Sequence, residues 1–231
     1  SDESGDQQWF ADTAKLMPDR VEGYSTHHYI KSDDLGAGVE RITARLAALK
    51  AGDPAWKRKK LFVTEFGIQG PGTTDRNNLY MRSYDLGLNI AGYGIDLATL
   101  GVDGASLWCL HRIHYPGFNF MDYGLWEYKD ENWKPRPVYF AYGLYTRFMP
   151  RGAKLSEVLV RDGEDLVKAC LAKGPEGTAL FVVNQSFGDV KIAADTGMPK
   201  GTLVRHRYEG AITNGLTARA LYAPEAPVAV Q

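Results

Sequence analysis

Glu65 sits near the end of a β-branched, aromatic run, Leu61–Ile68, which is followed by the breaker Gly70-Pro71-Gly72. A carboxylate held rigidly at a strand end suits nucleophilic catalysis. Two other strand-like runs carry groups that complement it. Alternation along Val21–Ile30 puts Ser25, His27 and Tyr29 on one face, and along Val102–Leu110 it does the same for Ser106 and Trp108. The same rule puts Val63 and Glu65 together. One choice of face per strand therefore gathers a carboxylate, an imidazole, a phenol and an indole, with Gly23, Ser25, Gly104 and Ser106 deeper on that face. Such a set fits sugar chemistry. Tyr29 is placed to donate a hydrogen bond that keeps Glu65 ionised and aimed. Trp108 offers an apolar floor for the C–H face of a sugar ring, and His27 can bond a sugar hydroxyl or Glu65 itself.

Each of these residues also has a plainer reading. Glu65 can cap a strand end, His27 and Tyr29 can be a hydrogen-bonded core pair, and Trp108 can be ordinary packing. His28 has the opposite parity and is expected to pack outward under a helix, as is Cys109. The connection 111–135 is longer than most structureless loops, which points to function. It carries His111 and Trp126 as candidate substrate-binding residues, together with Tyr115, Phe118, Phe120 and Tyr123, which can equally pack the loop down. His111 and His114 have metal-ligand spacing but no carboxylate or cysteine partner close in sequence, so no metal is expected. Cys109 and Cys170 are too few for a disulfide scaffold, and no bridge between them is expected.

Such residues need a scaffold that brings strand ends together. Helical spacing appears in Gly38–Leu49, in Leu79–Leu100 with Asp75 as its starting residue, and in Val138–Phe148, entered through Pro135 and Pro137. Strands alternating with helices imply parallel βα units. After about residue 153 short runs separated by Gly, Asp and Pro turns read as antiparallel strands: Leu155–Arg161, Leu166–Leu171, Ala179–Asn184, Val190–Ala193 and Leu203–Tyr208. Three βα units suit either an open sheet or part of a barrel, which needs eight strands. The 231 residues carry a net charge of -1, with 44% hydrophobic and 12% aromatic residues. That is a globular composition with nothing to suggest nucleic-acid or membrane partners. The basic run Lys57-Arg58-Lys59-Lys60 reads as a solvated strand entrance.

Three segments carry a resemblance. Gly23-Tyr24-Ser25-Thr26-His27-His28-Tyr29, Val63-Thr64-Glu65-Phe66-Gly67 and Ser106-Leu107-Trp108 resemble strands six, seven and eight of the clan A glycoside hydrolases, which are retaining (β/α)8-barrel enzymes. Tyr123-Gly124-Leu125 followed by Lys134-Pro135-Arg136-Pro137-Val138-Tyr139 is similar to the approach to their last helix. Relatives resembling β-xylosidases and arabinofuranosidases add a β-sandwich. The resemblance implies an α/β fold: the C-terminal portion of a TIM barrel over residues 1–150, then an antiparallel β-sandwich over 151–231. It implies Glu65 as nucleophile, with His27, Tyr29, Trp108, His111 and Trp126 binding an oligo- or polysaccharide of plant type, no cofactor and a secreted or periplasmic location. The clan's acid/base is a Glu, usually after Asn, ending strand four. No Asn-Glu occurs here, so that residue is expected in a missing N-terminal half of the barrel. Without that half the chain is expected to be inactive and to associate through the open edge of Val21–Ile30. The alternative is a non-catalytic carbohydrate-binding or vestigial glycosidase-like protein.

Overall fold

The computed structural model describes residues 8–17, 19–117, 120–161, 166–186, 188–193, 202–209 and 228–229. They form two compact units: one spans residues up to Met81 plus Tyr93–Arg136, the other Arg82–Gly92 plus the chain from Pro137.

The first unit begins with α1 (Gln8–Leu16), β1 (Gly23–Lys31), α2 (Leu35–Gly52) and β2 (Lys60–Gln69). It continues through the later part of α3 (Tyr84–Thr99) into β3 (Gly104–Leu107). The three strands are parallel in the order β1-β2-β3. One face of this sheet is buried. Tyr24, Thr26, His28 and Ile30 of β1 and Leu61, Val63, Phe66 and Ile68 of β2 are all sealed from solvent, as are Ile42, Leu46 and Leu49 of α2. The α2 spacing of i, i+4, i+7 is what places one helical stripe on a sheet. Fully burying each Leu or Ile contributes about 1.5–3 kcal/mol. Gly38 permits a close approach of α2 to β1, since a Cβ there would stand 2.5 Å from Ile30 Cγ2.

His28 packs outward as expected, its Nε2 donating to Gly38 O at 2.9 Å and its ring stacked on Tyr93. Burial lowers its pKa to about 4, the Gly38 bond opposing that shift in part. The expectation for β2 needs correction. Register slips by one residue between Thr26↔Val63 and His27↔Glu65, and again between Val63↔Ala105 and Phe66↔Leu107. A bulge at Thr64–Glu65 therefore breaks the alternation: Val63 stays in the buried layer while Glu65 turns to the other face, opposite His27.

Two more elements differ from the sequence reading. β3 ends at Leu107, so strand parity does not govern Cys109. The helix expected from Leu79 is a 3-10 turn, Leu79–Arg82, followed by α3, whose Leu86 N–H is capped by Ser83 Oγ at 3.1 Å. Asp75 does not start that helix. β4 (Ile113–His114) and β5 (Phe120–Met121) make a small antiparallel ladder in the 111–135 connection.

In the second unit α4 (Pro137–Phe148) starts on its proline, where a missing N–H costs nothing. β6 (Lys154–Glu157), β7 (Val167–Gly174) and β8 (Gly177–Asn184) form an antiparallel sheet, and β9 (Thr202–Leu203) pairs with β10 (Val228–Ala229). Val190–Ala193 is not a strand, and the run expected at Leu203–Tyr208 is extended only at its start. Tyr145 stacks on Phe181 at 4.8 Å while its hydroxyl donates to Ala91 O, and Tyr84 stacks on Tyr208 at 4.7 Å. Both cysteines are free thiols. No described helix is long and apolar enough to cross a membrane.

Candidate active site

The face of the sheet opposite the buried layer gathers the candidate residues. Tyr29 donates its hydroxyl to Glu65 Oε2 at 2.8 Å, and His27 Nδ1 stands 3.4 Å from the same oxygen. Both contacts fall on Oε2. The two strands supply this pairing directly, because His27 and Glu65 are cross-strand neighbours and Tyr29 lies two residues further along β1. The Glu65 side chain keeps 33% of its surface accessible and Tyr29 is 40% exposed, so a solute can reach them. Burial, followed by the hydrogen bond and charge of Glu65, raises the pKa of the Tyr29 phenol. Tyr29 therefore remains a donor throughout the neutral range.

Trp108, the first residue after β3, turns to the same side. Its N–H donates to Phe66 O at 2.9 Å, and its ring meets Tyr29 edge-on at 6.3 Å. The structure thus brings together His27, Tyr29, Glu65 and Trp108. Cys109 is joined to Trp108 by a cis peptide and is electrostatically coupled to Tyr29 and Glu65. Its thiol donates to His111 O at 3.2 Å; burial pushes its pKa up to about 12, and the nearby Glu65 charge adds to the rise.

Several residues that the sequence reading did not join to these four pack around them. Tyr123, 2% exposed, packs edge-on against Tyr29 at 5.8 Å and Trp108 at 5.5 Å. Its hydroxyl donates to Asp75 at 2.9 Å. Gly67 makes room for both tyrosines: a Cβ there would come 3.1 Å from the Tyr29 ring and 3.2 Å from the Tyr123 ring. Beneath Tyr123 lies Arg136, fully buried. Its Nη2 reaches Asp122 and Glu127, each at 2.6 Å, and its Nη1 donates to Tyr123 O at 3.1 Å. One buried cation between two buried carboxylates holds the 122–127 segment in place. The only sequence signal for this knot is an arginine between two prolines, downstream of two acidic residues in an aromatic loop.

His111 and Trp126 are placed differently from the four core residues. The backbone of Trp126 bridges His111 and Pro135, its N–H donating to Leu110 O at 3.1 Å. His111 Nδ1 lies 2.7 Å from Arg112 O, and its ring contacts Tyr128 and Trp133. Tyr115 is exposed and Phe120 meets Tyr128 edge-on in the loop, whereas Phe118 lies outside the described residues. Trp133, which the sequence reading passed over, has φ 54, as does Asn132 before it. Asparagine tolerates that left-handed region, but for a bulky aromatic it is an outlier costing on the order of 1–3 kcal/mol. Among the described residues no group of three or more His, Cys, Asp or Glu is arranged to hold a metal ion.

No family model matches the chain, and no curated protein matches it. Solved structures do. The GH51 arabinofuranosidase from Xanthomonas axonopodis pv. citri aligns with 99% of this chain at 18% identity and a TM-score of 0.57. The chain has a glycoside hydrolase-like fold. A family 51 α-L-arabinofuranosidase from Bifidobacterium longum gives the same TM-score of 0.57 over 97% of the chain at 14% identity. The alignments cover 52% of each of those enzymes, so this chain spans about half their length.

Proposed function

We propose that Glu65 is the nucleophile of a retaining O-glycosyl hydrolase acting on plant-type oligo- or polysaccharides with β-linked or arabinofuranosyl units. In this reading β1, β2 and β3 are the sixth to eighth strands of a (β/α)8 barrel, and the other strands lie outside these 231 residues. The observation that carries it is the convergence of Tyr29 and His27 on one oxygen of a solvent-reachable strand-end carboxylate beside Trp108. The fold shared with the arabinofuranosidases supports it.

The chemistry follows from that geometry. A Glu65 oxygen attacks the anomeric carbon, the glycosidic C–O bond breaks, and its electron pair leaves with the departing oxygen. A second carboxylic acid, about 5–5.5 Å from Glu65 in retaining enzymes, protonates that oxygen. It then takes a proton from water, whose oxygen attacks the anomeric carbon and frees Glu65. We assign that acid/base to the part of the barrel outside this chain. Tyr29 and His27 hold Oε2 during the attack, so Glu65 reacts from a fixed position and little reorganisation remains. Trp108 supports the sugar ring.

The test is turnover of nitrophenyl glycosides by the protein containing the whole barrel, with and without Glu65→Gln. The substitution is expected to lower kcat by roughly four orders of magnitude or more. Unchanged turnover would overturn the assignment. Binding of oligosaccharide without any turnover by the unsubstituted protein would favour a carbohydrate-binding role.

A further inference from the structure

We infer that Trp133, seated on His111 and Tyr128, is the platform of a second sugar subsite, binding a neighbouring ring of the same oligosaccharide whose bond is cleaved at Glu65. This rests on the glycosidase reading. The backbone around Trp133 is held in an unfavourable conformation, φ 54, by a tight turn in which Asn132 N donates to Lys129 O and Trp133 N to Tyr128 O. Within these residues the Trp133 side chain is not sealed, and 45% of its surface stays exposed. His111 meets the indole at 5.1 Å and 72°, and Tyr128 meets it at 5.4 Å and 62°. Two edge contacts fix the indole while much of its surface remains open to solvent.

His111 supplies the polar half of the site. Its Nδ1 lies 2.7 Å from a carbonyl oxygen, which can only accept, so Nδ1 carries the proton. Nε2 is then the ring nitrogen left to bond a sugar hydroxyl. An apolar aromatic surface beside a directed polar atom is the pairing that recognises a sugar ring, with C–H groups on its face and hydroxyls at its rim. The contacts run continuously to the reaction centre. Trp133 touches His111, whose carbonyl accepts from the Cys109 thiol; Cys109 follows Trp108, whose ring meets Tyr29, the donor to Glu65. This explains how His111, three residues beyond Trp108, can bind substrate without reaching Glu65.

Calorimetric titration of the whole-barrel protein with xylotetraose and arabinotetraose, and with the methyl glycosides of xylose and arabinose as one-ring controls, tests this. Trp133→Ala is expected to weaken binding of the better tetrasaccharide by tenfold or more while changing the one-ring ligands less than twofold. Trp133→Phe is expected to restore most of the loss. Trp133→Gly suits φ 54 and is expected to fold at least as stably as the parent, so its loss of tetrasaccharide binding cannot be blamed on unfolding. Equal tetrasaccharide binding by parent and Trp133→Gly would overturn the subsite, and so would a parent that binds neither tetrasaccharide. If the Trp133 variants lose binding but Glu65→Gln leaves turnover unchanged, the subsite stands and the nucleophile assignment fails.

Discussion

Tyr29 meets Glu65 through one hydrogen bond, and Tyr123 holds Tyr29 from behind through ring contact alone. Removing either hydroxyl therefore has distinguishable effects. Tyr29→Phe deletes the bond that orients the carboxylate and is expected to lower kcat about 10–100-fold, with KM changed little, because the lost interaction matters most in the transition state. Tyr123→Phe keeps the ring but leaves Asp75 without its donor. It is expected to cost less than tenfold in kcat, and Asp75→Asn, which still accepts, less again. Steady-state kinetics on one aryl glycoside separate these cases; a larger kcat loss in Tyr123→Phe than in Tyr29→Phe would contradict the ordering. At this scale the sequence was informative where side chains share a strand. His27 and Tyr29 follow from parity along β1, whereas Trp108 lies just beyond β3 and its placement does not. Tyr123 and Asp75 are 48 residues apart, and nothing in local spacing pairs them.

The elements show why parity succeeded for β1 and failed for β2. Counting by twos from Val63 reaches Glu65, but the bulge at Thr64 inserts a step, and only tertiary pairing with β1 and β3 reveals it. The 111–135 connection was legible as long and aromatic, not as a loop braced by a buried ion cluster. That cluster gives an element-scale prediction. Arg136→Met leaves Asp122 and Glu127 buried without their shared cation and is expected to destabilise the protein by about 3–5 kcal/mol in chemical denaturation. Arg136→Lys is expected to recover only part of this, since one ammonium cannot reproduce the guanidinium fork. Full stability in Arg136→Met would show that the knot does not hold the loop.

For the molecule as a whole, the buried layer under the sheet sets a pH response. His28 has its pKa lowered to about 4 by burial, below its ordinary 6.5, so the unfolded chain binds the proton more readily. Its contribution is complete above about pH 6.5 and is lost as pH falls toward 4, at most about 3 kcal/mol over that window. Asp53, although burial opposes it, is held below its ordinary 3.8 by hydrogen bonds from Lys59 and Tyr24, and its contribution is lost only at lower pH. Denaturation midpoints measured from pH 7 to 4 should therefore fall, and His28→Gln should flatten the slope; an unchanged slope would contradict the assignment. Alternating strands and helices were readable from the sequence, and so was the antiparallel character of β6–β8. Which distant segments pack together within each unit depends on tertiary contacts that local spacing does not carry. The central claim is that Glu65 forms the bond to sugar, and covalent trapping tests it most directly. The whole-barrel protein is incubated with a 2-fluoro glycoside bearing a good leaving group, digested and analysed by mass spectrometry. The account predicts one added sugar mass on the peptide containing Glu65, whereas an active enzyme labelled at another residue, or not labelled at all, would contradict it.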